Sequence, residues 1–548
     1  MPQSFESFTP EEKEILKKYV TSVDGDIFAI TNLQGLTGAV YARYSRAPGG
    51  MRRTLLKEFL QEGNIDPKKA DELIQRVLVA YGDDSVGELE GAHLSLESIS
   101  NLATKEIEDR RIGGSPIEQS TRYVVYDQKD TYGRYRYVRP QEVIDAGILN
   151  EYEAGLNSIF DTYVGLIKPM EEYFKTRKTV EEAEYDVTGK GKKQKRAELE
   201  DDKQRKAWDR TYKFDLRSKT CDTLRILLPA ATGTNMGTFG NGRYYQNLIS
   251  HLLTHPLAEM HMIANASHEA LAHQIPQYVR RAAKNEFVSK TRDAMQKLTD
   301  ELLKNTKPDS PVPATLFDEK HEEYMDNVVA QMLFAYSEHP LAQLKKLVKG
   351  WDKETKEKIF RTYNGERKTR RDRPGRALEF GYPLHYELVA DFGIYRDLER
   401  HRMLTQERQL LTPYLGYEIP EELVEAKVDD QIKKAFEISH DLYELIKRKT
   451  DRYAAQYGVL FGYNLRWVMG MNDRAAMHMW ELRTTPQGHP RYRKVCQEMH
   501  RLLKEREPLR AEAMQFVDYG DYYWSRADSE AKQRQKEMKM GNEGFNNE

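Results

Sequence analysis

Hydrophobic and polar positions divide this chain into short apolar runs and longer amphipathic stretches. Thr9-Pro10-Glu11-Glu12 has a cap, a proline and first-turn acids, and predicts a peripheral helix. Phe28 to Phe59 reads as two amphipathic helices around the Pro-Gly-Gly break at 48–50, and Asp66 to Ala80 as another helix. Ser85-Val86-Gly87-Glu88 has the spacing of a helix cap. Residues 94–111 are mixed and lead into a polar loop in which Ser120-Thr121-Arg122-Tyr123 runs toward a strand-like Val-Val-Tyr. Thr131 to Pro140 alternates aromatics with arginines, as a half-exposed strand would. Glu151 to Lys178 is an amphipathic helix, and the dense mixed charge of 180–212 predicts a solvated insertion or exposed helix. Leu224 to Pro229 predicts a short buried strand carrying Arg225. Short strands alternating with longer helices give an α+β class, each domain a helical layer on a mainly antiparallel sheet.

The pattern then repeats. Residues 305–315 hold three prolines and no periodicity, which places a linker there. On either side, Tyr44-Ser45 returns as Tyr336-Ser337, and Leu55-Leu56-Lys57 as Leu347-Val348-Lys349, both at a spacing of 292 (44 to 336, 55 to 347). Asp109-Arg110-Arg111 returns as Arg400-His401-Arg402 at 291 (109 to 400), and Asn241-x-Arg243 as Asn472-x-Arg474 at 231 (241 to 472). A tandem duplication explains this, with about 60 extra residues (291 minus 231) in the first copy, about half of them in the charged run. The expected organisation is a first domain over 1–304, the linker, a second domain over 316–525 and a charged flexible tail over 526–548.

Composition narrows the function. With 85 Lys and Arg against 87 Asp and Glu, bulk electrostatic wrapping of nucleic acid is disfavoured, whereas a small anion needs only a local cluster. Two cysteines, Cys221 and Cys496, make neither a disulfide framework nor a metal-ligand spacing, so a reducing, cytoplasmic setting is expected. The chain has no apolar run long enough to span a membrane. The loop Arg110 to Tyr126 gathers arginines and hydroxyls that can hold an anion, or serve only as a polar turn. Arg225, inside an apolar run, needs either a bound anion or an internal carboxylate.

Set in order, these motifs resemble the flavin-dependent thymidylate synthase family, whose signature is Arg-His-Arg, seven residues, then Ser-x-Arg-Tyr. The second half carries Arg400-His401-Arg402, and Asn472-x-Arg474 followed by His478 and Arg483 at the family's spacings. The first half carries Glu118-Gln119-Ser120-Thr121-Arg122-Tyr123, with Arg225, Asn241 and Asn247 at the spacing of the later motifs. Each half departs where the other conforms. Leu410 replaces the serine in the second half, with Thr412 and Pro413 where Arg and Tyr belong. In the first half the tripeptide is Asp109-Arg110-Arg111 with a one-residue insertion before Ser120, or Arg110-Arg111-Ile112 with none, and Leu252 replaces the late arginine, while Gln456 stands for Arg225 in the second.

The resemblance implies reductive methylation of dUMP to dTMP, with FAD as cofactor and methylenetetrahydrofolate and NADPH as co-substrates. No protein thiolate is required, because the flavin supplies the hydride. It places Arg225 and Ser120 in the catalytic set and Glu118, Ser120, Arg122 and Arg483 on the nucleotide. It places Ser85, Glu88, Arg400, His401, Arg402, Asn241, Asn247, Asn472, Arg474 and His478 on FAD. It also implies a homodimer forming a pseudo-tetramer, with a nucleotide site made of pieces from both copies. The alternatives are a divergent flavin- or nucleotide-binding homologue and a nucleic-acid module using the aromatic-basic stretch 131–140.

Overall fold

Gly91–Ser100 (β1) buries alternate residues from Ala92 to Leu96, shifts register between Leu96 and Ile99, and ends where the Ser100 hydroxyl accepts the Ala103 amide. That cap starts Asn101–Glu108 (α1), and Gly114–Glu118 (β2) follows. Two long helices come next, Leu149–Arg177 (α2) and Asp202–Leu224 (α3). Gly233–Asn241 (β3) then pairs antiparallel with both earlier strands, giving the order β1-β3-β2. The Asn241 side chain ends it by accepting the Tyr244 amide and capping Gly242–Thr254 (α4), and Ala258–Ala272 (α5) lies beyond.

The second half repeats the plan. After Ala314–Leu316 (β4) and Tyr324–Phe334 (α6), Leu384–Asp391 (β5) ends in an Asp391 cap that starts Phe392–Leu398 (α7). Thr405–Arg408 (β6) and Asp429–Lys449 (α8) lead to Asn464–Met471 (β7), where Asn472 caps Asp473–Arg483 (α9). Pro490–Arg506 (α10) and Ala527–Gly541 (α11) close the chain. The sheet order is β6-β7-β5-β4, antiparallel throughout. Each repeat is therefore α+β with its third motif strand central, and Asn241 and Asn472 occupy equivalent places. Even the turns before α2 and α8 match: Gly147 (φ +68°) and Lys427 (φ +59°) are left-handed and donate their amides to the carbonyls three residues back.

This computed structural model describes residues 7–33, 37–44, 50–61, 64–65, 88–110, 112–286, 288–290, 292–293, 296–297, 310–317, 324–334, 341–365, 367, 376–379, 384–524 and 527–541. Ser85, Ser45, Arg111, the Tyr336-Ser337 echo and residues 305–309 of the expected linker lie outside them. The compact units cut across the repeats: one is 1–119, 140–142 and 233–307, the other 120–139, 143–232 and 308–548. The first unit holds the three-stranded sheet with α1, α4 and α5. The second holds the four-stranded sheet together with α2 and α3 of the first repeat, and a Cβ on Gly155 of α2 would stand 3.4 Å from Leu442 of α8.

Inside this second unit the repeats meet through paired hydrogen bonds. Ala230 N donates to Val459 O and Phe461 N to Leu228 O, both at 2.8 Å; Ala231 N donates to Tyr457 O at 3.2 Å and Gly462 N to Ile226 O at 3.0 Å. Adding 231 to a residue of one bond gives the matching residue of its mate, the pattern of a two-fold interface between identical patches.

Several local expectations are corrected. Leu224 to Pro229 is the end of α3 and a tight turn over Arg225–Leu227, because a short apolar run does not distinguish a buried strand from a buried helix end. The strand near Ser120 precedes it as β2, and Val124 to Tyr126 form none. Within 131–140 only isolated bridges form, and Tyr135 and Tyr137 are buried against Phe160 at 5.0 and 5.7 Å between ring centres, which leaves Tyr132 as the exposed ring of that stretch. The 180–212 segment is not wholly solvated, since Tyr185, Val187, Leu199 and Trp208 are buried. Residues 527–541, expected in a flexible tail, form α11, tied to that segment by Asp528–Lys193 at 2.7 Å and by Gln535 on the Asp186 carbonyl. A few apolar residues spaced through charged sequence suffice to make this layer. The last linker residues, Ala314 and Thr315, belong to β4.

Candidate functional site

Beyond β2 the chain turns sharply: the Ser120 hydroxyl accepts the Arg122 amide at 3.3 Å, and the Ser120 carbonyl accepts those of Tyr123 and Val124. The turn carries Arg122 inward, where its Nε and Nη2 each donate to one oxygen of Asp222 on α3, both at 2.6 Å. Burial raises the Asp222 pKa, but the Arg122 charge and its two hydrogen bonds outweigh that, with His489 and Arg225 adding, and bring it down to about 2. One helical turn on, Arg225 Nη1 donates to Asp397 of α7 at 3.0 Å, while its Nη2 is buried with no hydrogen-bond partner. Burial opposes ionisation of Asp397 too, yet the charges of Arg225, Arg400, Arg122 and Arg483 hold its pKa well below the carboxylate range. Four arginines from the two repeats thus surround one carboxylate. Asp222, Arg225 and His489 also line a cleft of about 480 Å³, with Arg491, Tyr522 and Tyr523 on its walls.

Arg483, at the last turn of α9, is held differently. Its Nε donates to His401 Nε2 at 2.8 Å, and its guanidinium lies 5.6 Å from the Tyr492 ring centre. Arg122 lies 5.9 Å from the same ring. The bond requires a neutral His401 protonated on Nδ1. Burial, then the Arg483 and His478 charges, hold the His401 pKa well below its ordinary 6.5. Among the described residues the two Nη groups of Arg483 donate to no protein acceptor.

The second unit thus gathers Ser120, Arg122, Arg225, His401 and Arg483. Arg400, Arg402 and His478 are exposed there and Arg474 is half-buried. In the first unit, Asn247 is exposed on α4, and exposed Glu88 pairs with Arg243 at 2.6 Å. Two of the expected nucleotide ligands have protein partners here. Glu118, placed on the substrate, is buried and accepts from Thr104 at 3.1 Å and Lys105 at 3.3 Å, so its carboxylate serves the interior. Arg122, placed on the phosphate, gives two donors to Asp222, and Arg225 takes the internal carboxylate that was its alternative to an anion. Asn241 and Asn472 use their side-chain oxygens as helix caps. Asp222, Asp397, His489 and Tyr492 were not anticipated from the sequence. Asp222 and Asp397 stand three residues before Arg225 and Arg400, a spacing that brings side chains to one face of a helix.

A sequence profile of the family described as thymidylate synthase complementing protein matches residues 37–277 and 319–509, once on each repeat. The chain belongs to this family, the flavin-dependent thymidylate synthases, as a tandem-duplicated and divergent member. It is similar over more than nine-tenths of its length to two UPF0159 proteins: that of Chlamydia pneumoniae, 36% identical over 96% of this chain and 98% of the relative, and that of Thermoplasma acidophilum, 31% identical over 91% and 98%. A solved UMP/dUMP methylase, PolB from Streptomyces cacaoi bound with 5-Br dUMP, aligns with 38% of this chain and 95% of its own at 18% identity and a TM-score of 0.29. No helix among the described residues is long and apolar enough to cross a membrane.

Proposed function

We propose that this chain is a thymidylate synthase-like enzyme that uses FAD, methylenetetrahydrofolate and NADPH to methylate dUMP reductively, working in the cytoplasm as a homodimer forming a pseudo-tetramer. The observation that carries the reading is the meeting of Arg122 from one repeat and Arg483 from the other over Tyr492, with the Arg483 fork open. Ser120 and Arg483 then bind the nucleotide phosphate, and Arg122, fixed by Asp222, positions the turn that carries Ser120. The buried Nη2 of Arg225 suits a carbonyl oxygen of the pyrimidine, which it orients and polarises. The residues present also fit FAD. In the second unit exposed Arg400 and Arg402, with Asn472, Arg474 and His478, supply the cations and polar groups a diphosphate needs, and in the first unit Glu88, Asn241 and Asn247 are the proposed residues. When bound, FAD supplies the hydride that completes the methyl group. Burial pushes Cys221 and Cys496 up to about 12, far from a nucleophilic thiolate, which favours a thiol-independent route.

The test is the purified protein with its flavin absorbance and a calorimetric titration of dUMP. Arg483→Ala removes charge-assisted bonds worth about 1.5–3 kcal/mol, so dUMP binding should weaken by about ten- to a hundredfold. Normal binding by that variant overturns the assignment, and a colourless protein indifferent to dUMP marks a duplicate that has lost the chemistry.

A further inference from the structure

We infer that His401 is a positioning residue for Arg483; this rests on the nucleotide reading above. His401 is buried, and its Nε2 accepts the Nε proton of Arg483 at 2.8 Å. The Nε2 lone pair is thereby committed to Arg483, and the ring presents only its Nδ1 proton elsewhere. The same bond fixes the guanidinium through its side nitrogen, while Tyr492 covers it at 5.6 Å. Both Nη groups are left as the donors open to an anion, the arrangement that two-point recognition of a phosphate requires.

The first repeat supports the coupling independently. Its counterpart of His401 is Arg110 (spacing 291) and its counterpart of Arg483 is Leu252 (spacing 231). Leu252 is fully buried, and Arg110 turns to its neighbour Asp109 at 2.6 Å. Acceptor and donor have therefore been exchanged together, although they stand 82 residues apart in the second repeat. Independent roles, one on the flavin and one on the nucleotide, give no reason for the two positions to change as a unit.

The experiment compares wild type, His401→Phe, His401→Gln, Arg483→Ala and the His401→Phe/Arg483→Ala double variant in the full chain. Each is titrated with dUMP by calorimetry and assayed for flavin retention by absorbance. His401→Phe, which removes the acceptor, should weaken dUMP binding about tenfold with flavin retained, and His401→Gln, whose amide oxygen can accept the same proton, should restore most of the affinity. The double variant should bind no more weakly than Arg483→Ala alone. Flavin loss with normal dUMP affinity in His401→Phe, or fully additive losses, overturns the inference. If wild type itself binds no dUMP, the nucleotide reading fails, and histidine-selective nitrogen NMR decides the coupling. An Nδ1-protonated His401 that changes in Arg483→Ala supports it, and an unchanged resonance overturns it.

Discussion

Arg122 and Arg483 stand over the same tyrosine ring at nearly the same distance, yet they do different work. Arg122 faces Asp222 with two bonds of 2.6 Å and is part of the architecture. Arg483 faces a neutral histidine, which orients a guanidinium without neutralising it, and its charge remains available. Between these two, the difference is whether the nearest partner is a carboxylate or an imidazole.

Three changes would break or sharpen that contrast. Asp222→Ala strands the Arg122 charge in the interior and should cost about 3–5 kcal/mol in denaturant unfolding, whereas Arg483→Ala should cost about 1 kcal/mol or less. Equal losses would erase the distinction. The second change is acid. Because the folded Asp222 carboxylate titrates at about 2 instead of its ordinary 3.8, its contribution is fully present above pH 4 and is lost as the pH falls toward 2. Wild type should thereby lose about 2 kcal/mol across that window, read from unfolding at successive pH values, and Asp222→Asn should lose none of it. The smallest effect compares the two repeats. Lys427 adopts the left-handed turn that Gly147 adopts without strain, so Lys427→Gly should stabilise the protein by about 1 kcal/mol in thermal unfolding, and Gly147→Lys should destabilise it by a similar amount.

The repeat was legible in the sequence because motif order and spacing survive substitution, and the capping asparagines 241 and 472 marked equivalent strand ends. The class of fold followed from the alternation of short apolar runs with amphipathic helices. The arginines of the site were legible as residue types in a resembling pattern, but their assignments were not. Asp222 is 100 residues from Arg122 and Asp397 is 172 from Arg225, and separations of that size leave no local signature of a pair. The segment 180–212 was misjudged for a related reason: its average charge is high, while Trp208 and Tyr185, which bury it, are few. The compact units were hidden altogether, because α2 and α3 precede the linker and yet pack with elements of the second repeat.

The exchanged hydrogen bonds at 226–231 and 457–462 have a consequence for how such a chain can change. In an assembly of identical subunits every substitution appears at every copy of the site, so a residue that serves one copy and harms another cannot be kept. Here the mirrored contact joins two stretches written separately in one polypeptide. A serine can remain at 120 while its counterpart becomes Leu410, and an arginine can remain at 483 while its counterpart becomes Leu252. Fusion keeps the mating surface of a symmetric dimer and releases the residues around it from having to be the same.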